Sequence, residues 1–403
     1  MQETLTDFEM AGFHSQFCLA DGHAYQDLHP AFDKIINSLP KIWHDSAEKP
    51  IYEAENHFNK SYSTLIQSPI LANYKNFKIC PTASNSIDLI AAAVNLLNLK
   101  TILVEPTFDN LALLFRRRGV QLDSISDKAL LQAAQVNEID KCFPNLKEYG
   151  ALFLVNPNNP TGLEFDENAL NNIISFCKQH GMLLIIDNCF RIHKRTNFDD
   201  YNLLINSNVS FMTLEDTGKV WPTQDLKASL VYFSEDMKNI FNEIYNEVYL
   251  CVSNFSLGII SAFFEETAKV GIQETIWNVV DTRRALLRKA IQNSTLFVSD
   301  LSVNSNLPVE WLVCNASDKN DFTICHELKA MGLAVLPGRQ FYWNSFNESK
   351  NQRNIRVSLL KRQNGFIAGL GVLQKYCQKS YGAVSKNEPI SYFLEASKLI
   401  NQR

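Results

Sequence analysis

Short apolar runs alternate with amphipathic stretches through the middle of the chain. The apolar runs lack the polar alternation of a half-exposed strand, which is typical of strands buried on both faces. They are KTILVEP at 100–106, GALFLV at 150–155, MLLIID at 182–187, VSFMTLE at 209–215 and KASLVYFS at 227–234. Residues 86–99, 110–119 and 166–181 have helical periodicity, and the last stretch is bounded by a capping Asp166 and by Gly181. This alternation predicts an α/β fold with a mostly parallel sheet covered by helices.

A different pattern begins near residue 281. The stretch DTRRALLRKAIQNS at 281–294 predicts a long amphipathic helix, and VEWLVC at 309–314, LAVLPG at 333–338 and NIRVSLL at 354–360 predict strands. A chain of 403 residues is long enough for two domains. We therefore expect an N-terminal segment at 1–45, a large domain at 46–284 and a smaller α+β domain at 285–403.

The charge and the cysteine content argue against several classes of function. A net charge of −5 disfavours nucleic-acid binding. No apolar run approaches the roughly 18 residues that a membrane helix needs, and the first residues lack the apolar core of a signal peptide. The nine cysteines form no C-x-x-C pair and the eight histidines form no H-x-x-H or H-x-x-x-H pair. We therefore expect reduced thiols, no metal site and a cytoplasmic protein.

Chemically distinctive residues follow the predicted strands. Because ligands bind at the carboxyl ends of parallel strands, these residues are candidates for a single site. They are PTASNS at 81–86, PTFDN at 106–110, NPNNPTG at 156–162, Asp187, Glu215, Asp216 and Lys219. The set contains what a pyridoxal phosphate site needs: a lysine that forms an imine, an acid for the pyridine nitrogen, donors for the phosphate and the phenolate oxygen, and a ring for stacking.

The spacing of these residues resembles that of the fold type I, aspartate aminotransferase-like superfamily of pyridoxal phosphate enzymes. The motif NPNNPTG is followed by Asp187, 28 residues after Asn159, and by Lys219, 32 residues after that acid. The resemblance covers the chain from about residue 50. It implies a large domain with a mostly parallel seven-stranded sheet, pyridoxal 5'-phosphate as the cofactor, and a homodimer with active sites at the subunit interface.

The resemblance also implies a role for each matching residue. Lys219 would carry the cofactor and move the substrate's α-proton, and Asp187 would keep the pyridine nitrogen protonated. Asn159 would hold the phenolate oxygen, and Arg356 in NIRVSLL would bind the substrate's α-carboxylate through paired hydrogen bonds. The other cofactor-binding candidates are Thr82, Ser84, Ser86 and Lys227 for the phosphate, Phe108 for stacking, and Cys189 as a small residue beside the acid.

Two positions depart from the usual pattern of the superfamily. DNCF places Phe190 where a tyrosine usually donates a hydrogen bond to the cofactor. DTGK replaces S-x-S-K and places Asp216 three residues before Lys219. A carboxylate is poorly suited to binding a phosphate and well suited to binding a cationic substrate. These departures argue against an ordinary transaminase.

The N-terminal stretch TDFEMAGFHSQFCLADGHAYQDLHPAFDKIINSLPKIW resembles a smaller family within the superfamily, as do EDTGKVWPTQDLKA and LPGRQFYW. These are the pyridoxal phosphate- and oxygen-dependent arginine oxidases and arginine hydroxylase-deaminases of natural-product pathways. In that family the N-terminal segment closes over the active site when arginine binds. The resemblance implies that Glu9 and Asp216 face the guanidinium, and that His23 acts near Cβ and Cγ or on a peroxide or water. The other residues that the segment would bring to the substrate are Thr6 and Asp21.

Three functions remain open from the sequence. The first is an oxygen-consuming L-arginine oxidase that gives ammonia and a 2-oxo acid, desaturated along the side chain or hydroxylated at C4. The second is a class I/II aminotransferase for a basic amino acid, and the third is a catalytically idle protein with this fold, against which the retained Lys219 argues. Taken alone, Glu9 would be a solvated charge and Asp21-Gly22-His23 a surface turn. Two acids at the distal end fit arginine, homoarginine, canavanine or lysine alike.

Overall fold

The computed structural model describes residues 3–143, 145–196 and 198–380, and the statements below concern these residues. Thirteen strands form three sheets in this part of the chain. In chain order they are β1 (Phe17–Cys18), β2 (Phe77–Cys80), β3 (Thr101–Glu105), β4 (Leu122–Ser126), β5 (Ala151–Val155), β6 (Leu183–Asp187), β7 (Phe211–Leu214), β8 (Ser229–Phe233), β9 (Leu296–Val298), β10 (Val309–Cys314), β11 (Leu333–Ala334), β12 (Leu336–Pro337) and β13 (Asn354–Ser358).

The described residues also form fourteen α-helices. They are α1 (Leu5–Gly12), α2 (Asp33–Asn37), α3 (Leu39–Glu48), α4 (Ile51–Leu65), α5 (Ala83–Leu96), α6 (Asp109–Arg117), α7 (Asp127–Gln135), α8 (Glu167–His180), α9 (Asp200–Ser207), α10 (Lys238–Val248), α11 (Asn254–Val270), α12 (Asn278–Ala290), α13 (Asp321–Ala330) and α14 (Gln363–Ser380). Within the described ranges, no helix has both the length and the apolar character to cross a membrane.

The large sheet contains seven strands in the order β2-β8-β7-β6-β5-β3-β4. The pairs from β4 to β7 are parallel, whereas β8 runs antiparallel to both β7 and β2. Strands β3, β5, β6, β7 and β8 are buried at every residue, as their continuous apolar runs predict. The prediction of a mostly parallel seven-stranded sheet in an α/β fold is therefore confirmed.

The helix predicted at 166–181 forms as α8. The Asp166 carboxylate accepts a hydrogen bond from the Ala169 N–H, and Gly181 ends the helix in the left-handed conformation. Helices α4, α10 and α11 and strand β4 were not predicted from the sequence. Phe58, Tyr62 and Leu65 of α4 recur at helical spacing and are buried.

A second, antiparallel sheet has the order β12-β13-β10-β9 and lies within the predicted smaller domain. The run LAVLPG was predicted as one strand, but it forms two short strands that join different sheets. Strand β11 pairs with β1, and β12 pairs with β13. Val335 separates them, so the chain changes partners at this residue.

Residues 17–25 of the N-terminal segment lie between the smaller domain and the large sheet. Strand β1 pairs in parallel with β11, and the Ser358 N–H donates to the Leu19 carbonyl at 2.8 Å. The Tyr25 N–H donates to the Leu360 carbonyl at 2.9 Å, and the Ala24 N–H donates to the Gly218 carbonyl at 3.3 Å. The segment is therefore bonded through its main chain both to the smaller domain and to the loop that contains Lys219.

Candidate active site

A cleft lies at the carboxyl edge of the parallel strands, where the N-terminal segment and β13 meet the large sheet. The sequence-predicted residues that line it are Glu9, His23, Thr82, Ser84, Phe108, Asn159, Asp187, Cys189, Asp216, Lys219, Lys227 and Arg356. Three predicted residues, Thr6, Asp21 and Ser86, do not line the cleft.

The loop at 215–228 carries two lysines into the cleft. Strand β7 ends at Leu214 and β8 returns antiparallel from Ser229, so residues after β7 and residues before β8 lie at the same edge of the sheet. Lys219 and Lys227 therefore line the cleft together with Asp216. The loop is tight, because the Gly218 N–H donates to Asp216 Oδ1 at 2.9 Å and a Cβ on Gly218 would lie 3.0 Å from Lys227 Cδ.

His193 lies beneath Lys219. Its Nε2 is 3.2 Å from the Lys219 carbonyl oxygen. Burial lowers the pKa of His193 to about 4. The imidazole is therefore neutral at pH 7 and supports the main chain of Lys219 as an uncharged donor.

Asp187 ends β6 and lies beside the lysine loop. Its Oδ1 accepts a hydrogen bond from the Cys189 N–H at 2.8 Å. The pKa of Asp187 is raised to about 6, mainly by burial and also by the nearby Asp216, whereas the hydrogen bonds from Cys189 and the charge of Lys219 oppose the change. A cationic ring nitrogen at this carboxylate would offset the cost of burying its charge.

The N-terminus of α5 provides an anion site. Thr82 is the N-cap residue, and its Oγ1 accepts a hydrogen bond from the Asn85 N–H at 3.3 Å. Unpaired N–H groups and the helix dipole favour a phosphate at such a terminus. Ser84 lies two residues after Thr82, and Lys227 brings a positive charge to the same cleft. Ser86 is fully buried and donates to Ser229 Oγ at 2.7 Å, so this member of the predicted phosphate set is not brought to the cleft.

The motif NPNNPTG forms a loop that is fixed from behind by one acid. Asn158 Nδ2 donates to Asp127 Oδ2 at 2.7 Å, and Thr161 Oγ1 donates to the same oxygen at 2.8 Å. Gly162 has a φ of +73°, and a Cβ there would overlap the side chain of Ser305. These contacts hold Asn159 at the cleft.

Arg356 of β13 is buried at the opposite wall. Its Nη2 donates to the Ala20 carbonyl at 2.6 Å and to Glu9 Oε1 at 3.1 Å, and its Nη1 donates to Asn159 Oδ1 at 3.3 Å. The guanidinium carbon lies 5.9 Å from the centre of the Phe108 ring. Phe108 is partly buried and lines the cleft, so it is not only a core residue.

His23 is held in the cleft by Asp21. The carboxylate of Asp21 accepts a hydrogen bond from the His23 N–H at 3.0 Å, and His23 Nδ1 lies 3.4 Å from the same oxygen. His23 Nε2 is 3.5 Å from Lys227 Nζ. The predicted role of Asp21 as a direct substrate ligand does not match its position, because the residue is buried and paired with Lys361.

Burial opposes the ionisation of Asp21. The hydrogen bond from His23 and the charge of Lys361 outweigh that effect and hold the pKa of Asp21 well below its usual range. Asp21 is therefore an ionised residue that orients the imidazole. Thr6 is exposed on α1, about one turn before Glu9, and does not line the cleft.

Sequence reasoning missed two residues that position the site. Lys361, next to the run NIRVSLL, pairs with Asp21. Asp109 follows Phe108 and accepts a hydrogen bond from the Leu5 N–H at 2.9 Å, which attaches the start of α1 to the large domain. A buried lysine or a buried acid indicates a structural or functional role. The sequence does not show which charged residues are buried, because burial depends on how distant segments pack together.

Glu215 is the one acid after β7 that does not face the cleft. Successive side chains alternate across a strand, so Glu215 and Asp216 point in opposite directions. The Glu215 carboxylate is buried, and it accepts hydrogen bonds from Tyr62, Tyr201 and Arg191. It belongs to a buried ionic network behind the site. The described residues contain no group of three or more His, Cys, Asp or Glu side chains arranged to hold a metal ion.

The donor set of the cleft fits pyridoxal phosphate. The cleft contains a lysine, a buried carboxylate, an amide, an aromatic ring and a helix N-terminus with a second lysine, which are the kinds of partner that the cofactor's imine carbon, ring nitrogen, phenolate oxygen, ring and phosphate require. The buried Asp187 is the strongest single indication, because a carboxylate with a raised pKa is stabilised by an adjacent cation.

Known proteins of similar structure agree with this geometry. The structure of MppP soaked with the product 2-ketoarginine is 29% identical in sequence, with a TM-score of 0.82 that covers 90% of this chain and 99% of that one. A double mutant of Thermus thermophilus aspartate aminotransferase is 12% identical, with a TM-score of 0.74 over 93% of this chain and 97% of that one. The second likeness is one of fold alone.

Curated relatives match over shorter regions. 1-Aminocyclopropane-1-carboxylate synthase 2 of Solanum lycopersicum is 25% identical over 156 residues, which are 39% of this chain and 28% of that protein. Histidinol-phosphate aminotransferase of Flavobacterium psychrophilum is 28% identical over 153 residues, 35% of this chain and 41% of that protein. The chain thus spans less than half the length of these relatives. The family described as aminotransferase class I and II matches residues 75–364, well over half of the sequence. The chain therefore belongs to this pyridoxal phosphate-dependent family and has fold type I.

Proposed function

We propose that this protein is an oxygen-consuming L-arginine oxidase that releases ammonia and a 2-oxo acid, desaturated along the side chain or hydroxylated at C4. The observation that carries the proposal is the content of the cleft: Asp216 and Glu9 provide two acids, and Arg356 provides a cation, around Lys219. An amino acid with a cationic side chain complements this set of charges. The structural likeness to MppP, whose named product is the 2-oxo acid of arginine, supports the same substrate.

When bound, pyridoxal phosphate supplies an electron sink for the bonds at the substrate's α-carbon. Asp187 would hold its ring nitrogen, Asn159 its phenolate oxygen and Phe108 one face of its ring. Lys227 and the α5 terminus, with Thr82 and Ser84, would hold its phosphate. Lys219 would attach it covalently, and Cys189 would support Asp187 through its main-chain N–H.

The remaining residues act on the substrate. Arg356 would bind the α-carboxylate, and the released amine of Lys219 would take the proton from Cα. Asp216 would bind the guanidinium, since its carboxylate lies in the cleft three residues from Lys219. His23, oriented by Asp21, would hold or move a proton at Cβ or Cγ or on a water. Closure of the N-terminal segment would exclude bulk water from these steps.

The electron balance requires oxygen. Each withdrawal of two electrons from arginine reduces one O₂ to H₂O₂, water supplies the oxo oxygen, and the amino group leaves as ammonia. Two such withdrawals give the desaturated 2-oxo acid, and addition of water to it gives the 4-hydroxylated product. No 2-oxo acid acceptor enters this balance.

A class I/II aminotransferase that acts on a basic amino acid is the second candidate. It is favoured by the family match and by the partial likeness to histidinol-phosphate aminotransferase. Such an enzyme would leave the amino group on the cofactor and would need a 2-oxo acid to remove it.

The test is to measure dissolved oxygen while the pyridoxal phosphate-loaded protein acts on L-arginine without a 2-oxo acid. We expect sustained oxygen uptake, ammonia release and peroxide that catalase removes, with Lys219→Ala as the inactive control. Mass spectrometry then distinguishes the desaturated from the hydroxylated product. If oxygen stays constant and turnover begins only after pyruvate or 2-oxoglutarate is added, the protein is an aminotransferase and the oxidase proposal fails.

The proposal includes a homodimer and a place in natural-product biosynthesis, which follow from the family resemblance, and a cytoplasmic location, which follows from the cysteine content. Light scattering of the purified protein tests the first of these directly, since a mass of one chain would contradict it.

A further inference from the structure

Arg356 already holds a carboxylate in this structure. Glu9 Oε1 lies 3.1 Å from Nη2 of Arg356, at the guanidinium that would receive the substrate's α-carboxylate. The side chain of Arg356 is only 1% exposed and that of Glu9 is 14% exposed, so the pair is largely shielded from water. A buried arginine without an anion would be costly. Burial lowers the pKa of Arg356, whereas Glu9 acts to raise it.

Glu9 is carried to this position by a helix that is fixed at its start. The Leu5 N–H of α1 donates to Asp109, and Leu5 is fully buried. Glu9 follows Leu5 by about one turn, so its carboxylate projects from α1 into the cleft. Glu9 therefore occupies the carboxylate position of Arg356 as part of the folded N-terminal segment, not as a free side chain.

Two of the groups near Glu9 are acidic. Asp216 lines the same cleft, and Asp109, the first residue of α6, accepts the Leu5 N–H at the start of α1. The pKa of Asp109 is raised to about 6, mainly by burial and also by the charge of Glu9. If Glu9 were displaced from Arg356, its charge would face these acids, because the other cations of the cleft, Lys219 and Lys227, would hold the cofactor in the proposed function.

We propose that Glu9 is a displaceable internal ligand of Arg356, and that it makes the site selective for amino acids with a cationic side chain. The substrate's α-carboxylate takes the place of Glu9 on Arg356, and the released Glu9 binds the substrate's guanidinium together with Asp216. This inference rests on the proposed function, because it assumes a cationic amino acid as the substrate.

The exchange predicts separate effects for the carboxylate and for the cationic group of the ligand. L-Arginine has both the carboxylate that displaces Glu9 and the cation that binds it afterwards. L-Citrulline has the same shape and the same carboxylate but a neutral ureido group, so it displaces Glu9 and leaves that charge unpaired. Agmatine has the guanidinium but no carboxylate, so it cannot displace Glu9. A residue that only contacted the guanidinium would not affect citrulline at all.

The experiment measures the dissociation constants of these three ligands for the pyridoxal phosphate-loaded protein by calorimetry without oxygen. The variant is Glu9→Gln, which keeps the size and the hydrogen-bonding ability of the side chain and removes its charge. The matched control is Glu3→Gln, because Glu3 is exposed and makes no side-chain contact with the cleft. Thermal unfolding of each variant checks that α1 remains attached.

We expect Glu9→Gln to weaken arginine binding by about tenfold and to strengthen citrulline binding by several-fold. Both changes lower the ratio of the affinity for arginine to the affinity for citrulline. Agmatine should bind weakly to the wild type. Glu3→Gln should behave as the wild type with all three ligands.

Two results overturn the exchange while leaving the proposed function intact. In the first, the wild type takes up oxygen with arginine, and Glu9→Gln leaves the dissociation constant of citrulline unchanged. This result would mean that Glu9 only binds the guanidinium. The other is equal weakening of all three ligands, which makes its role structural. Failure of the wild type to bind arginine would refute both the exchange and the proposed substrate. The expected pattern without any oxygen uptake would support the exchange and refute the oxidase alone.

Discussion

Replacing Asp187 with Asn should stabilise the cofactor-free protein at neutral pH while impairing cofactor binding. The carboxylate is buried at the end of β6, and burial raises its pKa to about 6 from 3.8. Asn cannot ionise, but its amide oxygen can still accept the Cys189 N–H bond that Asp187 Oδ1 accepts at 2.8 Å. The variant thus removes a buried charge and keeps the local hydrogen bond.

The magnitude follows from the two pKa values. Because the folded-state pKa is raised, protonated Asp187 contributes stability at low pH, and that contribution is lost as the pH rises through about 6. At about 1.4 kcal/mol for each tenfold change in proton affinity, the complete loss is about 3 kcal/mol. The Asn variant should therefore exceed the wild type in free energy of unfolding by about 3 kcal/mol at pH 8 and by about half as much at pH 5, where Asp187 is still largely protonated in the folded state.

Urea unfolding of the two cofactor-free proteins at pH 5 and pH 8 measures this difference. Asp318→Asn, at an exposed position, is the matched control and should show no such change with pH. Added pyridoxal phosphate should stabilise the wild type more than the variant, because only the wild type offers an anion to the ring nitrogen. An Asn variant that is no more stable than the wild type at pH 8 would refute the reasoning. The buried carboxylate would then be compensated by contacts other than the cofactor.

Three further substitutions test other parts of the site. Lys219→Ala should lower turnover by at least about a thousandfold, as measured by oxygen uptake, because the residue both attaches the cofactor and moves a proton. Lys227→Met should weaken pyridoxal phosphate binding by about tenfold to a hundredfold in a fluorescence titration, since one charge-assisted bond to the phosphate is lost. Lys361→Met should move the acid limb of the pH profile of arginine turnover to higher pH, because the buried Asp21 loses the positive charge that lowers its pKa. Lys361→Arg should restore the profile, and a drop in rate with an unmoved profile would make Lys361 only structural.

The sequence predicted the parts of the fold that depend on local patterns. Runs such as ALFLV and LLIID are buried on both faces and give strands at the expected places. Asp166 and Gly181 bound α8 because capping is a local interaction. The antiparallel direction of β8 could not be predicted, because an apolar strand has the same pattern in either direction. The division of LAVLPG into two strands could not be predicted either, because it depends on the neighbouring strands β1 and β13, which come from distant parts of the chain.

The candidate site was predicted where spacing constrains it. Asn159, Asp187 and Lys219 lie at strand ends, so the order of strands alone brings them together. Ser86 and Asp21 were assigned to ligands by resemblance, and the structure instead pairs them with Ser229 and Lys361. Both pairings join segments far apart in the chain. A sequence shows which residues are polar, but burial and partners between distant segments decide which of them face a ligand.

The reversal of β8 constrains how related sequences can vary. Because β7 and β8 are joined by the single loop at 215–228, Lys219 and Lys227 lie on one short stretch of chain. In the proposed site they would hold opposite ends of one small molecule. An insertion between them would move one lysine without the other, and the paired strands on both sides could not shift to compensate. Loops at the opposite edge of the sheet are free of this requirement. We therefore expect relatives with the same chemistry to vary in loop length almost everywhere except between these two lysines. The spacing of the two lysines should then identify such relatives more specifically than NPNNPTG alone.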